Sequence, residues 1–237
     1  MSGDLVSPRW THWRETVNLE EYHSRWARME ASGTATHGEA DLIEGYGPAS
    51  VLDAGCGMGR VAIDLHHRGI EVEGTDLDAD LLAYAQADAP QIPWHHADLT
   101  DMQLGRTFEL IAMPGNVMIF CRNDHRGPFV ANLATHLQPG GLLVAGFSLD
   151  TDAEALTLPE YDGYCAAAGL ELAERFATWE RAPYEGGNYA VSVHRRRSID
   201  EQYIEAYTRM PQTEDEISHL RHQSFAHLDD EDWPQRL

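Results

Sequence analysis

Val51-Leu52-Asp53-Ala54-Gly55-Cys56-Gly57-Met58-Gly59-Arg60 runs from an apolar stretch through a single acid into three alternating glycines. The apolar start reads as a buried strand, and the glycines as a turn at its end. Without a Cβ, Gly55, Gly57 and Gly59 can take positive φ and bring backbone close to a ligand, which makes this a nucleotide-binding turn. The dinucleotide fingerprint Gly-x-Gly-x-x-Gly would place its third glycine at position 60, where Arg60 stands. The spacing therefore argues against a nicotinamide dinucleotide.

Outward from this turn, apolar segments alternate with amphipathic ones, the pattern of a parallel sheet covered on both faces. Strands are expected over Ser50 to Ala54, Ile70 to Thr75, Ile92 to His95, Phe108 to Met113 and Gly141 to Ser148. Helices are expected over Arg60 to Arg68, Ala79 to Ala87 and Asp124 to Leu137, the last stopped by Pro139-Gly140-Gly141. A further helix from Leu158 to Ala168 ends at Gly169. Two extended stretches follow, Leu170 to Trp179 and Asn188 to His194, and read as a terminal antiparallel pair.

Before the sheet, residues 8–45 read as helical, with Trp10, Trp13, Val17, Tyr22, Trp26 and Met29 recurring at three- and four-residue intervals. Packing of these side chains onto the sheet is the expectation, with a lid over the ligand as the other reading. Residues 198–237 hold ten acids against three arginines and form an acidic tail. No apolar run approaches the roughly 20 residues that cross a bilayer. Met1-Ser2-Gly3-Asp4 has neither a basic nor an apolar leader region, so a cytoplasmic protein is expected. Cys56, Cys121 and Cys165 lack a Cys-x-x-Cys spacing and read as reduced thiols.

The net charge of −22 disfavours a nucleic-acid partner, whose phosphates need Lys and Arg. All 17 basic residues are arginine, which excludes lysine Schiff-base chemistry. His95 and His96 are neighbours on a strand and point to opposite faces, so no metal site is expected there.

The motif Asp-x-Gly-x-Gly-x-Gly at a first strand resembles motif I of the class I S-adenosylmethionine (SAM) methyltransferases. Three later places fit the same order: Glu73-Gly74-Thr75-Asp76-Leu77-Asp78, His95-His96-Ala97-Asp98-Leu99, and Phe108 to Asn116. The resemblance runs from about residue 37 to 197. It implies an α/β fold, a Rossmann-like parallel sheet with helices on both faces and a terminal antiparallel hairpin, with SAM as cofactor. It also implies cofactor contacts. Asp53, Ala54, Gly55 and Gly57 would support the methionine end, Asp76 the ribose and Leu77 one adenine face. Asp98 and Leu99 would meet the adenine edge, and the backbone of Met113 the methionine moiety. Asp78 reads as a cap of the next helix.

A domain plan follows: a helical cap over 1–45, a SAM-binding core over 46–197 and the acidic tail over 198–237. The function implied is methyl transfer to a small-molecule acceptor, with protein methylation also open. His37 and Glu39, just before the first strand, lead the candidates for a catalytic base, followed by His125 and Tyr184; Asn116 is a candidate to orient the acceptor. The tail reads either as a solvated helical appendage or as a partner-binding segment. On the second reading it resembles in composition the tails of bacterial antitoxins, the methyltransferase core is secondary, and the partner is a basic protein.

Overall fold

A computed structural model describes residues 6–32, 37–149 and 155–198. The tail beyond 198, with both of its readings, lies outside the described residues. Seven strands form one sheet in the order β3-β2-β1-β4-β5-β7-β6. They are β1 (Ser50–Ala54), β2 (Glu71–Asp76), β3 (Trp94–His96), β4 (Phe108–Met113), β5 (Leu137–Ser148), β6 (Leu170–Phe176) and β7 (Tyr189–Arg196). The first five pair in parallel; β7 inserts antiparallel between β5 and β6. This is the expected Rossmann-like parallel sheet with its terminal antiparallel hairpin.

Helices cover both faces: α1 (Pro8–Thr16), α2 (Leu19–Ala31), α3 (Gly38–Glu44), α4 (Arg60–His67), α5 (Ala79–Asp88), α6 (Val117–Phe120), α7 (Arg126–Thr135) and α8 (Leu158–Ala167). Successive strand residues therefore enter two different cores. Leu52, Ile111 and Met113 pack with Phe129, Leu133 and Tyr161. Val51, Leu110 and Ala112 pack with Leu42, Val61 and Leu65. Burial on both sides explains why β1 and β4 read as nearly continuous apolar runs.

Two segments depart from expectation. β5 begins at Leu137, not after Pro139-Gly140-Gly141. Proline has no N–H for a ladder, so the chain bulges between the pairs Phe108↔Leu137 and Leu110↔Leu142 and then rejoins the strand. Helix α6 was hidden because four residues carry no helical period. It starts from Asn116 in the left-handed conformation at φ 70°.

α1 is an N-capped helix: Ser7 Oγ accepts from the Trp10 N–H, and Pro8 occupies the first turn. None of its residues is buried, because it lies over the strand ends and not on the sheet. The Ser7 N–H donates to the Phe120 carbonyl (2.8 Å), and Arg14 Nε pairs with Asp78 Oδ2 (2.5 Å). The Trp26 side chain lies outside the described residues. No helix among the described residues is long and apolar enough to cross a membrane.

Candidate active site

The carboxyl ends of β1, β2 and β4 open on one cavity of about 770 Å³, where open α/β sheets bind ligands. Its floor is the glycine turn. The three glycines all have positive φ (75°, 56° and 80°), yet they serve different purposes. A Cβ at Gly55 would lie 2.7 Å from the Val117 methyls, so this glycine makes room for protein. A Cβ at Gly57 would meet no atom within 4 Å, so this one faces open space in the cavity.

Asp53 is 1% exposed at the end of β1. Its Oδ2 accepts from the Ala62 N–H in the first turn of α4 (3.1 Å), whereas Oδ1 is buried without a partner. Burial pushes this carboxyl up to about 7, against the pull of the Ala62 N–H and Arg60. Asp76, at the end of β2, accepts from the N–H groups of Gly57 (2.7 Å) and Asp78 (2.9 Å). Burial raises its pKa, opposed by those two bonds. Asp76 thus locks the glycine turn to the second strand. Asp78 caps α5 as expected, its carboxylate accepting from the Asp80 and Leu81 N–H groups.

Leu77 is held beside Asp76 by a hydrogen bond between its carbonyl and His96 Nε2 (2.9 Å), while the neighbouring His95 pairs with Glu73 (2.6 Å). The two rings engage different partners, in keeping with their alternation along the strand. Among the described residues no cluster has the composition of a metal site. Asp98 Oδ1 accepts from both the N–H and the hydroxyl of Thr100 (2.8 and 2.7 Å). Its Oδ2 is buried, unpartnered and on the cavity wall.

Of the residues singled out from sequence, Asp53, Gly55, Gly57, Asp76, Leu77, Asp98, Leu99, His37 and Glu39 come together around this cavity. Ala54 and Met113 do not line it; both side chains are fully buried in the core, and the wall beyond β4 is made by Pro114 to Val117. Asn116 lines the cavity, but its Oδ1 accepts from the Ser148 N–H (2.7 Å) and so ties a turn. His125 and Tyr184 lie away from the cavity wall.

His37 Nδ1 contacts Asp64 Oδ2 at 2.7 Å, and Asp64 is also bound by Arg68. These contacts hold the Asp64 carboxyl below its ordinary pKa despite partial burial. An ionised Asp64 only accepts, so His37 donates to it from Nδ1. Glu39 is paired with Arg60. Helix α4 supplies the wall here through Arg60, Val61, Ile63, Asp64 and His67, while Ala62 and Leu65 are buried on its other face.

The roof was read differently from sequence. Trp10, Trp13 and Tyr22 line the cavity with Phe120, so the lid reading holds for them and packing onto the sheet does not. Trp13 meets Tyr22 edge-on at 5.5 Å and is tilted against Phe120 at 6.0 Å. The spacing of aromatics on α1 and α2 was visible in sequence; the surface they cover was not. Asp64, the partner of His37, also carried no motif.

Comparison with known proteins agrees with this geometry. Residues 51–141 match the family described as "Methyltransferase domain". The crystal structure of a TehB-like SAM-dependent methyltransferase from Corynebacterium glutamicum is 37% identical with a TM-score of 0.69, covering 75% of this chain and 97% of that one. The dTDP-3-amino-3,4,6-trideoxy-alpha-D-glucopyranose N,N-dimethyltransferase of Streptomyces venezuelae is 32% identical over 44% of this chain and 46% of its own length. The dTDP-3-amino-3,6-dideoxy-alpha-D-glucopyranose N,N-dimethyltransferase of Streptomyces fradiae is 30% identical over 65% and 60%. The match thus spans about half the length of these two curated relatives. With the motif order, the sheet and a near-full-length structural relative in agreement, the chain belongs to the class I SAM-dependent methyltransferases, whose cofactor is S-adenosyl-L-methionine.

Proposed function

We propose that the chain transfers a methyl group from SAM to a small-molecule acceptor. The observation that carries this reading is a large cavity whose wall holds two buried carboxylate oxygens, Asp53 Oδ1 and Asp98 Oδ2, with no partner among the described residues. Buried lone pairs left unmatched are costly unless a ligand supplies donors. Their separation on two strand ends, with Asp76 between, suits a ligand polar at several points.

Asp53, Gly55 and Gly57 would hold the methionine end of the cofactor, Asp76 the ribose, and Leu77, Asp98 and Leu99 the adenine. When bound, SAM supplies a sulfonium methyl that is already electrophilic. The chain then needs mainly to hold an acceptor near contact distance and keep water out. Trp10, Trp13, Tyr22 and Phe120 form the apolar roof that excludes it. His37, oriented by Asp64 on the cavity wall, is the candidate to take a proton from the acceptor; Glu39 and its partner Arg60 line the same cavity. The names of the two Streptomyces relatives, both N,N-dimethyltransferases, support nitrogen as the accepting atom.

The net charge of −22 supports a reading without nucleic acid, and three free thiols support the cytoplasm. Residues 198–237 play no part in this assignment. Calorimetric titration with SAM, S-adenosylhomocysteine and NAD, on wild type and Asp76→Ala, tests it. Binding of both adenosyl ligands, weakened in the variant, with none for NAD, is the expected result; failure of both adenosyl ligands to bind wild type would overturn it.

A further inference from the structure

Between β6 and β7 the chain makes a tight turn at residues 178–181. The Ala177 N–H donates to the Ala182 carbonyl (2.8 Å), and an antiparallel bridge pairs Phe176 with Pro183, which fixes the base of the turn. Arg181 closes it in the left-handed conformation at φ 63°, a costly state for a residue with a Cβ. Its guanidinium stacks on Tyr46, just after α3, at 4.6 Å.

Trp179, at the tip, is buried between the sheet and α3. On the sheet side, a Cβ at Gly146 of β5 would lie 2.4 Å from Trp179 Cζ2 and 2.5 Å from the Tyr189 hydroxyl, so glycine is needed there to admit the indole. Trp179 Nε1 donates to the Tyr189 hydroxyl (2.9 Å). On the helix side, a Cβ at Gly38, the first residue of α3, would lie 3.4 Å from Trp179 Cβ. Ala40, Leu42 and Ile43 of α3 share a buried cluster with the indole.

Gly38 is flanked by His37 and Glu39, which line the cavity. Burial pushes the Tyr189 phenol up to about 12, against the Trp179 bond, and the Glu39 and Glu180 carboxylates add to the rise. Glu39 is thus within electrostatic reach of the indole's partner. Ion pairs also tie this segment to α4, His37 to Asp64, Glu39 to Arg60, and Asp41 and Glu44 to Arg68. Partly solvated pairs of this kind are individually weak, whereas a buried indole is a large contact.

Resting on the methyl-transfer reading with His37 as its base, we propose that the turn of residues 178–181 is a positioning element for the reaction. Trp179 holds α3 against the sheet so that the His37 imidazole keeps its contact with Asp64. The indole does not line the cavity, so it acts through His37.

The test follows the His37 ring itself, by NMR of the full chain labelled with 15N-histidine, at alkaline pH where imidazoles are neutral. The His37 signal is the one that vanishes in His37→Gln. A free histidine ring carries its proton mainly on Nε2; contact with Asp64 is expected to hold it on Nδ1. In Trp179→Leu the ring should lose the Nδ1–H form and revert to the free pattern. S-adenosylhomocysteine affinity, read by calorimetry, should stay within about twofold of wild type, the scatter of distant, independent sites. Arg181→Gly frees Tyr46 without backbone strain and should shift the ring the same way by less; it decides the matter if the leucine variant does not bind S-adenosylhomocysteine. A wild-type ring with the free pattern, or an Nδ1–H form kept in the deciding variant, would overturn the positioning role. Loss of the Nδ1–H form together with cofactor binding in both variants would make the turn a general scaffold and overturn it too. Failure of wild type to bind S-adenosylhomocysteine would instead overturn the methyl-transfer reading, while the ring signal still reports on the turn.

Discussion

The floor and the roof of the cavity are made in opposite ways. The floor consists of strand ends, three glycines and carboxylates fixed by backbone N–H groups, with every member placed by the sheet. The roof consists of side chains from α1, α2 and α6, with α1 tied to α6 through Ser7 and to the start of α5 through Arg14. The floor carries the motifs that resemble the family, and the roof carries none of them.

The sharpest way to break this contrast is Asp76→Ala. It removes an expected ribose acceptor and also frees the Gly57 and Asp78 N–H groups. S-adenosylhomocysteine affinity is expected to fall about 100-fold, the scale of losing two charge-assisted hydrogen bonds, as read by calorimetry. An undiminished affinity would mean that the floor does not hold the cofactor. On the roof side, His37→Gln should lower kcat about 100-fold, the ordinary contribution of a positioned base, with cofactor affinity retained. An undiminished kcat in that variant would move the proton acceptor elsewhere.

Smaller effects divide the floor itself. Gly55→Ala drives a Cβ against Val117 and should lower Tm more than Gly57→Ala, which adds a Cβ in open space. Each also bears the left-handed penalty of about 1–2 kcal/mol. Gly57→Ala should instead be felt mainly in cofactor affinity. Reversal of that order, by thermal melts and titration together, would put protein and ligand on the wrong sides of the turn.

The pH dependence of stability gives the finest distinction. Asp53 has an ordinary carboxyl pKa when unfolded and about 7 when folded. Between those values the folded state binds more protons, so the Asp53 contribution falls as pH rises and is at its most unfavourable above 7. Asp53→Asn should therefore gain in Tm over wild type as pH is raised from about 4 to 7, with no further gain beyond. A constant difference across that range would mean that Asp53 is not held protonated by its burial.

Most of the floor was legible in sequence because it follows from rules of spacing. Asp53, Gly55 and Gly57 sit where a strand must turn, and Asp76 where the second strand ends. β1 and β4 have the expected bounds because both faces are buried and their apolar runs are unbroken. Legibility failed where geometry depends on distant partners. Pro139 read as a stop signal, yet a bulge carries it inside β5. Trp10, Trp13 and Tyr22 showed a helical period that says nothing of whether the apolar stripe faces a sheet or a ligand. His37 was visible; Asp64, which orients it, lies 27 residues away on another helix.

The ties of the roof have a consequence of their own. Arg14, itself partly solvated, bonds to buried Asp78 and to exposed Asp80. Such pairs weaken as dissolved ions accumulate around them, over a Debye length of about 10 Å at 0.1 M. The glycine turn and its backbone hydrogen bonds carry no comparable sensitivity. Ionic strength thus acts on one storey of the molecule: raising it loosens α1 at its mooring while the sheet and its cofactor floor stay as they are.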